Sequence, residues 1–163
     1  MVQSRLNHVS VLANDLEESA QFYEEVLDMT RVPTPNFDVE VMWLEIGEGG
    51  GQLHLFDRPV EAPQYHHFGV TVADFEAVYH EAVERDIVTD FSDDDSPRMY
   101  ALPDGAVQLY ITDPAGNLVE VNWPDVEVLD ESIRENITYR SDLRPQTGEA
   151  AEATLGLGSA ASD

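Results

Sequence analysis

Four side chains in this sequence are of types that could hold a metal: His8, His54, His67 and Glu120. Neutral imidazole nitrogens and a carboxylate are donors that zinc, iron and their neighbours accept from proteins. Taken singly, each says little. A lone strand histidine is more often a hydrogen-bonded structural residue than a ligand, and Glu120, between Val119 and Val121, could face solvent. Their places in the chain say more. His8 lies in the first strand of one stretch and His54 in its last strand, while His67 and Glu120 lie in the first and last strands of a second stretch. If a pseudo-two-fold axis relates the stretches, His8 superposes on His67 and His54 approximately on Glu120. All four can then converge on the axis from rigid strands, as a metal site requires.

The elements that must position them read out of the hydrophobic pattern. Arg5–Leu12 alternates in the manner of a strand, and Asn14 or Asp15 can cap a helix carrying Leu16, Ala20, Tyr23 and Leu27 on one stripe. Val39–Ile46 is a second strand, Gly47–Gly51 a turn and Gln52–Phe56 a strand paired to the previous one. Then the pattern restarts. His67-Phe68-Gly69-Val70-Thr71-Val72-Ala73-Asp74-Phe75-Glu76 lies over His8-Val9-Ser10-Val11-Leu12-Ala13-Asn14-Asp15-Leu16-Glu17, with His, Val, Asp and Glu coinciding. A helix bearing Phe75, Val78, Tyr79 and Ala82 follows, then strands at Arg98–Leu102 and Val107–Thr112, a turn at Asp113–Asn117 and a closing strand at Leu118–Trp123. The expectation is an α+β domain over residues 1–125 made of two like units, about 5–58 and 66–123. Apolar periodicity fades after Trp123. Asp130–Asn136 suits a short helix, but 126–163 as a whole reads as an acidic, largely disordered extension.

Charge limits the partners. Eight basic against 33 acidic residues gives a net −25, and every basic residue is arginine. So negative a field argues against nucleic acid or an anionic membrane as partner. It suits a halophilic protein, in which salt at about 1 M screens charge within roughly 3 Å. The expected location is therefore a high-salt cytoplasm, and the opening residues show no signal-peptide pattern. Cysteine is absent, which excludes disulfides and thiolate ligands. The run Asp93-Asp94-Asp95 reads as solvated surface rather than a calcium site.

Several segments together resemble the vicinal oxygen chelate superfamily of glyoxalases, bleomycin-resistance proteins and extradiol dioxygenases. They are Asn7–Val11 with Phe22–Leu27, Gln52–Phe56, His66–Val70 and, most specifically, the closing Asp113-Pro114-Ala115-Gly116-Asn117-Leu118-Val119-Glu120. The resemblance implies two βαβββ modules forming an incomplete barrel around a metal site. It implies metal ligation by His8, His67 and Glu120, with His54 at the fourth position, and commonly a homodimer. Type I extradiol dioxygenases resemble this chain in Leu53-His54, in the His66-His67 pair and in a tyrosine upstream of the final glutamate, here Tyr110. Two histidines and one carboxylate form the facial set of non-haem Fe(II) oxygenases. On that resemblance His54 is the acid/base and Tyr110 a hydrogen-bond donor to substrate. The metal expected is one divalent ion per module pair, Fe(II) first, with Zn, Ni, Co or Mn as alternatives. The leading expectation is dioxygenase-like chemistry on a small oxygen-chelating substrate. The alternatives are a glyoxalase-like lyase or isomerase, and a non-catalytic protein that sequesters a small molecule or drug.

Overall fold

The structure is a computed structural model that describes residues 6–47, 51–58, 61–63, 65–89 and 99–157. Arg5 and Arg98, expected to open strands, lie outside the described residues. So do the centre of the Gly47–Gly51 turn, the acidic run at 93–95 and the last residues of the extension, 158–163. Two βαβββ modules follow one another. The first is β1 (His8–Ala13), α1 (Leu16–Leu27), β2 (Thr30–Val32), β3 (Val41–Ile46) and β4 (Gly51–Asp57). The second is β5 (His67–Thr71), α2 (Phe75–Glu84), β6 (Met99–Ala101), β7 (Val107–Thr112) and β8 (Leu118–Trp123). The first sheet runs β1-β4-β3-β2 and the second begins β5-β8-β7-β6, so the sequence repeat is a repeat of strand order as well. Within the modules the short β2 escapes the sequence pattern, because three residues are too few to show alternation.

The repeat also sets the helix starts. Asp15 accepts hydrogen bonds from the amides of Glu17 and Glu18, and Asp74 accepts one from Ala77, each satisfying backbone donors that a first helical turn leaves bare. In the first module α1 buries Ala20, Phe22, Tyr23 and Val26. Leu53 and Leu55 of β4 are fully buried. Alternation then turns Gln52 and His54 to the opposite face of the sheet. In the second module Val107, Leu109 and Ile111 share one face of β7, which turns Gln108 and Tyr110 to the other.

By its contacts the chain divides into two units. One runs to His66 and takes in Thr112–Leu118; the other comprises His67–Ile111 and the residues from Val119 onward. The turn between β7 and β8 therefore belongs with the first unit, whereas the pattern alone puts it in the second. The reason is a knot of hydrogen bonds. Asp113 accepts from Tyr23 Oη of α1 at 2.8 Å and from the Asn117 amide at 2.7 Å, and Asn117 Nδ2 donates to the Leu12 carbonyl at 2.6 Å. Gly116 holds φ +83° in this turn, a conformation open to glycine.

The extension departs from the expected disorder over residues 126–143. Val126, Leu129, Ile133 and Ile137 are all buried. A short helix, α3 (Glu131–Arg134), leads to β9 (Thr138–Tyr139), which lies parallel to β6 with Tyr100 opposite Thr138 and Ala101 opposite Tyr139. The second sheet thus gains a fifth strand. Its anchors recur at near-helical spacing in the sequence. The signal is diluted because they are shared among a 3-10 turn, a single helical turn and a two-residue strand. Two further single turns follow, α4 (Arg140–Leu143) and α5 (Glu149–Glu152). Among the described residues no helix is long and apolar enough to cross a membrane.

Candidate metal centre

In the first unit, His8, His54 and Trp43 share one sheet face. Trp43 stands opposite His54 across the β3–β4 pair, and Ser10 stands opposite it across the β1–β4 pair. His54 is sandwiched: its ring stacks on His8 at 4.4 Å and 15°, and on Trp43 at 4.4 Å and 8°. His54 is 8% exposed, and burial, with the neighbouring His8 adding to it, holds its pKa below the ordinary histidine value. It is therefore kept neutral, the form that can coordinate a metal or accept a proton. His54 Nε2 lies 2.9 Å from Gln52 Oε1, an acceptor, which assigns the proton to Nε2 and leaves the lone pair on Nδ1. His8 has the opposite arrangement. Its Nδ1 meets Asn7 Oδ1 at 2.7 Å, so Nε2 carries the lone pair. Such a second hydrogen bond orients a metal-binding imidazole and fixes its tautomer.

In the second unit, Glu120 is 6% exposed and is the hub. Tyr110 Oη donates to Glu120 Oε2 at 2.5 Å, and His67 Nε2 approaches the same oxygen at 3.4 Å. The Tyr110 and His67 rings meet edge to face at 5.8 Å. Burial first, then the hydrogen bond to Glu120, raise the Tyr110 pKa well above the ordinary value, so its hydroxyl stays a donor. Glu120 Oε1 makes no hydrogen bond among the described residues. Beside it Gly69 leaves a gap: a Cβ there would stand 3.6 Å from Oε1 and 3.0 Å from Asn122 Nδ2. Asn122 Oδ1 is buried without a partner.

The structure therefore pairs the sequence candidates within each unit, His8 with His54 and His67 with Glu120. Among the described residues no group of three or more His, Asp or Glu is placed so that it could hold a metal ion. The donor chemistry suits a divalent ion nonetheless. His54 is held neutral, His8 presents one ring nitrogen with its lone pair, and Glu120 keeps an uncommitted carboxylate oxygen beside space that a side chain at Gly69 would fill. His66 is exposed and makes no contribution to either cluster. Trp43 forms a flat wall against His54, and in the sequence it is one strand aromatic among several.

These observations define an α+β protein of duplicated βαβββ modules whose first and last strands carry histidines and a carboxylate at equivalent places. The chain belongs to the Glyoxalase/Bleomycin resistance protein/Dioxygenase superfamily, whose family model matches residues 5–121. It is similar to the uncharacterized protein YwbC of Bacillus subtilis (strain 168), 28% identical over 125 residues that cover 71% of this chain and 94% of YwbC. Among solved structures it is similar in fold to the oxidase ChaP-H2, with TM-score 0.56 and 21% identity, covering 77% of this chain and 99% of that one. It is similar in fold also to the fosfomycin resistance protein FosX from Listeria monocytogenes, solved as a point mutant with Mn(II) and 1S,2S-dihydroxypropylphosphonic acid. There the TM-score is 0.60 and the identity 13%, over 77% of this chain and 96% of that one.

Proposed function

We propose that this chain is a metal-dependent enzyme that binds one divalent ion, Fe(II) by preference, through His8, His67 and Glu120, and uses dioxygen as co-substrate to oxygenate a small substrate presenting two adjacent oxygens. The observation that carries the reading is His54. It is a histidine held neutral by burial beside a proposed ligand, with its lone pair placed on Nδ1 by Gln52. Held by these two histidines and one carboxylate, Fe(II) would supply the electron-transfer and Lewis-acid chemistry of the non-haem oxygenases. The protein's own residues supply the rest. His54 takes a proton from a substrate hydroxyl at Nδ1 and returns it later, as a general base and then acid. Tyr110, kept protonated, holds Glu120 in place through its hydroxyl, and Trp43 covers one face of the His54 imidazole.

The neutral His54 also favours a second reading, a glyoxalase-like lyase or isomerase in which the same imidazole moves a proton between carbons. The metal separates the two: Fe(II) marks the oxygenase, and Ni, Co or Zn the lyase. Elemental analysis of the wild-type protein against His8→Ala, His67→Ala and Glu120→Ala tests the ligand set. Stoichiometric metal in the wild type and strong loss in each variant are expected, with His54→Ala sparing occupancy. Equal metal content in all four proteins would remove the ligand set and the enzyme assignment built on it. A wild type that takes up no metal would leave sequestration of a small molecule as the reading.

A further inference from the structure

We propose that Arg140, delivered by the C-terminal extension, is the seat for a carboxylate on the substrate, and so sets the substrate class as a monoanionic acid. The inference rests on the substrate-binding reading of the Glu120 face given above. Arg140 directly follows β9, and the pairing of β9 with β6 fixes where it emerges. Its guanidinium lies over the Tyr100 ring, 3.7 Å from the centroid. Tyr100 stands opposite Gln108 in the β6–β7 pair, so both side chains share the sheet face that carries Tyr110 and, through it, Glu120.

Arg58 and Arg144, which also have no ion pair described, are exposed; what sets Arg140 apart is that it is half-buried without one. The chain has 33 acidic side chains, and carboxylates take the other arginines for which an ion pair is described. Arg31 is held by Glu17 and Glu24, Arg85 by Glu81 and Arg134 by Glu127. Arg140 is half-buried and forms no ion pair among the described residues. Its only partner described is an aromatic face. A guanidinium stacks through its flat face but hydrogen-bonds through its edge. Stacking on Tyr100 therefore orients the group while leaving its in-plane N–H donors uncommitted. A planar carboxylate matches that edge with two parallel bonds. A single arginine in so negative a protein offsets one negative charge, which favours a monoanion over a phosphate dianion.

The test compares three probes by calorimetric titration under anaerobic conditions at fixed salt: catechol, 3,4-dihydroxybenzoate and benzoate. The full-length wild type should bind 3,4-dihydroxybenzoate roughly tenfold to hundredfold more tightly than catechol, the range for a hydrogen bond between charged groups. Arg140→Gln should bring that ratio to near one, Arg140→Lys should retain part of it, and Arg144→Gln, at an exposed neighbour, should leave it unchanged. A purely structural arginine would lower the melting temperature of Arg140→Gln and leave the ratio intact. That result would overturn the proposal, as would a wild type that binds none of the acids or does not discriminate. Failure of the metal reading looks different. Catechol binding would then be insensitive to metal loading, while benzoate binding still depended on Arg140.

Discussion

Among the described residues stand two buried tyrosine–carboxylate pairs, one in each unit, and their carboxylates are satisfied to different degrees. In the first unit Tyr23 donates to Asp113 at 2.8 Å; in the second Tyr110 donates to Glu120 at 2.5 Å. Asp113 is saturated. Besides Tyr23 it accepts from the Asn117 amide at 2.7 Å, from Asn117 Nδ2 at 2.7 Å and from the Ala115 amide at 3.0 Å. Every donor is local to one helix and one turn, and the carboxylate acts as a lock. Glu120 has one tyrosine and one histidine, both at Oε2, and its other oxygen is uncommitted beside Gly69. The same chemical pair has its acceptor capacity used up in one unit and left partly open in the other.

The sharpest way to break this comparison is to remove each carboxylate. Asp113→Ala should destabilise the fold by about 2–4 kcal/mol, because several buried donors lose their acceptor together. Glu120→Gln keeps an acceptor for Tyr110 and should stay within about 1 kcal/mol of wild type, while losing metal. Paired chemical denaturation and metal analysis measure both. If Glu120→Gln proves as destabilising as Asp113→Ala, the distinction between lock and ligand site fails.

Filling the gap beside Glu120 comes next. Gly69→Val should lower both the melting temperature and metal or substrate uptake, because even its Cβ would stand 3.0 Å from the buried Asn122 Nδ2 and 3.6 Å from Glu120 Oε1. The corresponding residue of the first module, Ser10, already carries a side chain opposite His54. Ser10→Val should therefore be milder. Equal effects at the two positions would show that the gap at Gly69 serves packing alone.

The smallest expected effect is a pH dependence. Burial raises the Asp113 pKa, and the hydrogen bonds from Asn117 and Tyr23 pull it back down. Tyr23→Phe removes one of those donors and should cost about 1–2 kcal/mol. The sign follows from linkage. Losing a donor to the charged form raises the folded-state pKa further, so the penalty is complete above that pKa. It shrinks as pH falls through it and Asp113 takes up a proton. Unfolding curves for wild type and Tyr23→Phe should thus converge toward acid pH. A gap constant with pH would mean that Tyr23 acts by packing and not through the carboxylate.

The duplicated modules were legible in the sequence because the repeat is written in residues with fixed local duties. Asp15 and Asp74 cap helices, His8 and His67 open strands, and Gly116 takes the positive φ of its turn. Such effects act over a few residues and leave a local pattern. The site candidates were legible for the same reason, as equivalent positions on equivalent strands. What could not be read was decided by contacts distant in sequence. The Asp113–Asn117 turn reads as a turn from its residues, but that it locks onto Tyr23 depends on a hydrogen bond across 90 residues. The extension reads as disordered because its anchors are sparse, and Thr138–Tyr139 beyond them becomes a strand only against the edge of β6. Nothing local marks Arg140 as different from the other seven arginines. Its distinction is that folding sets it on Tyr100 and away from the acidic side chains that surround it in sequence, and only the tertiary structure makes that choice.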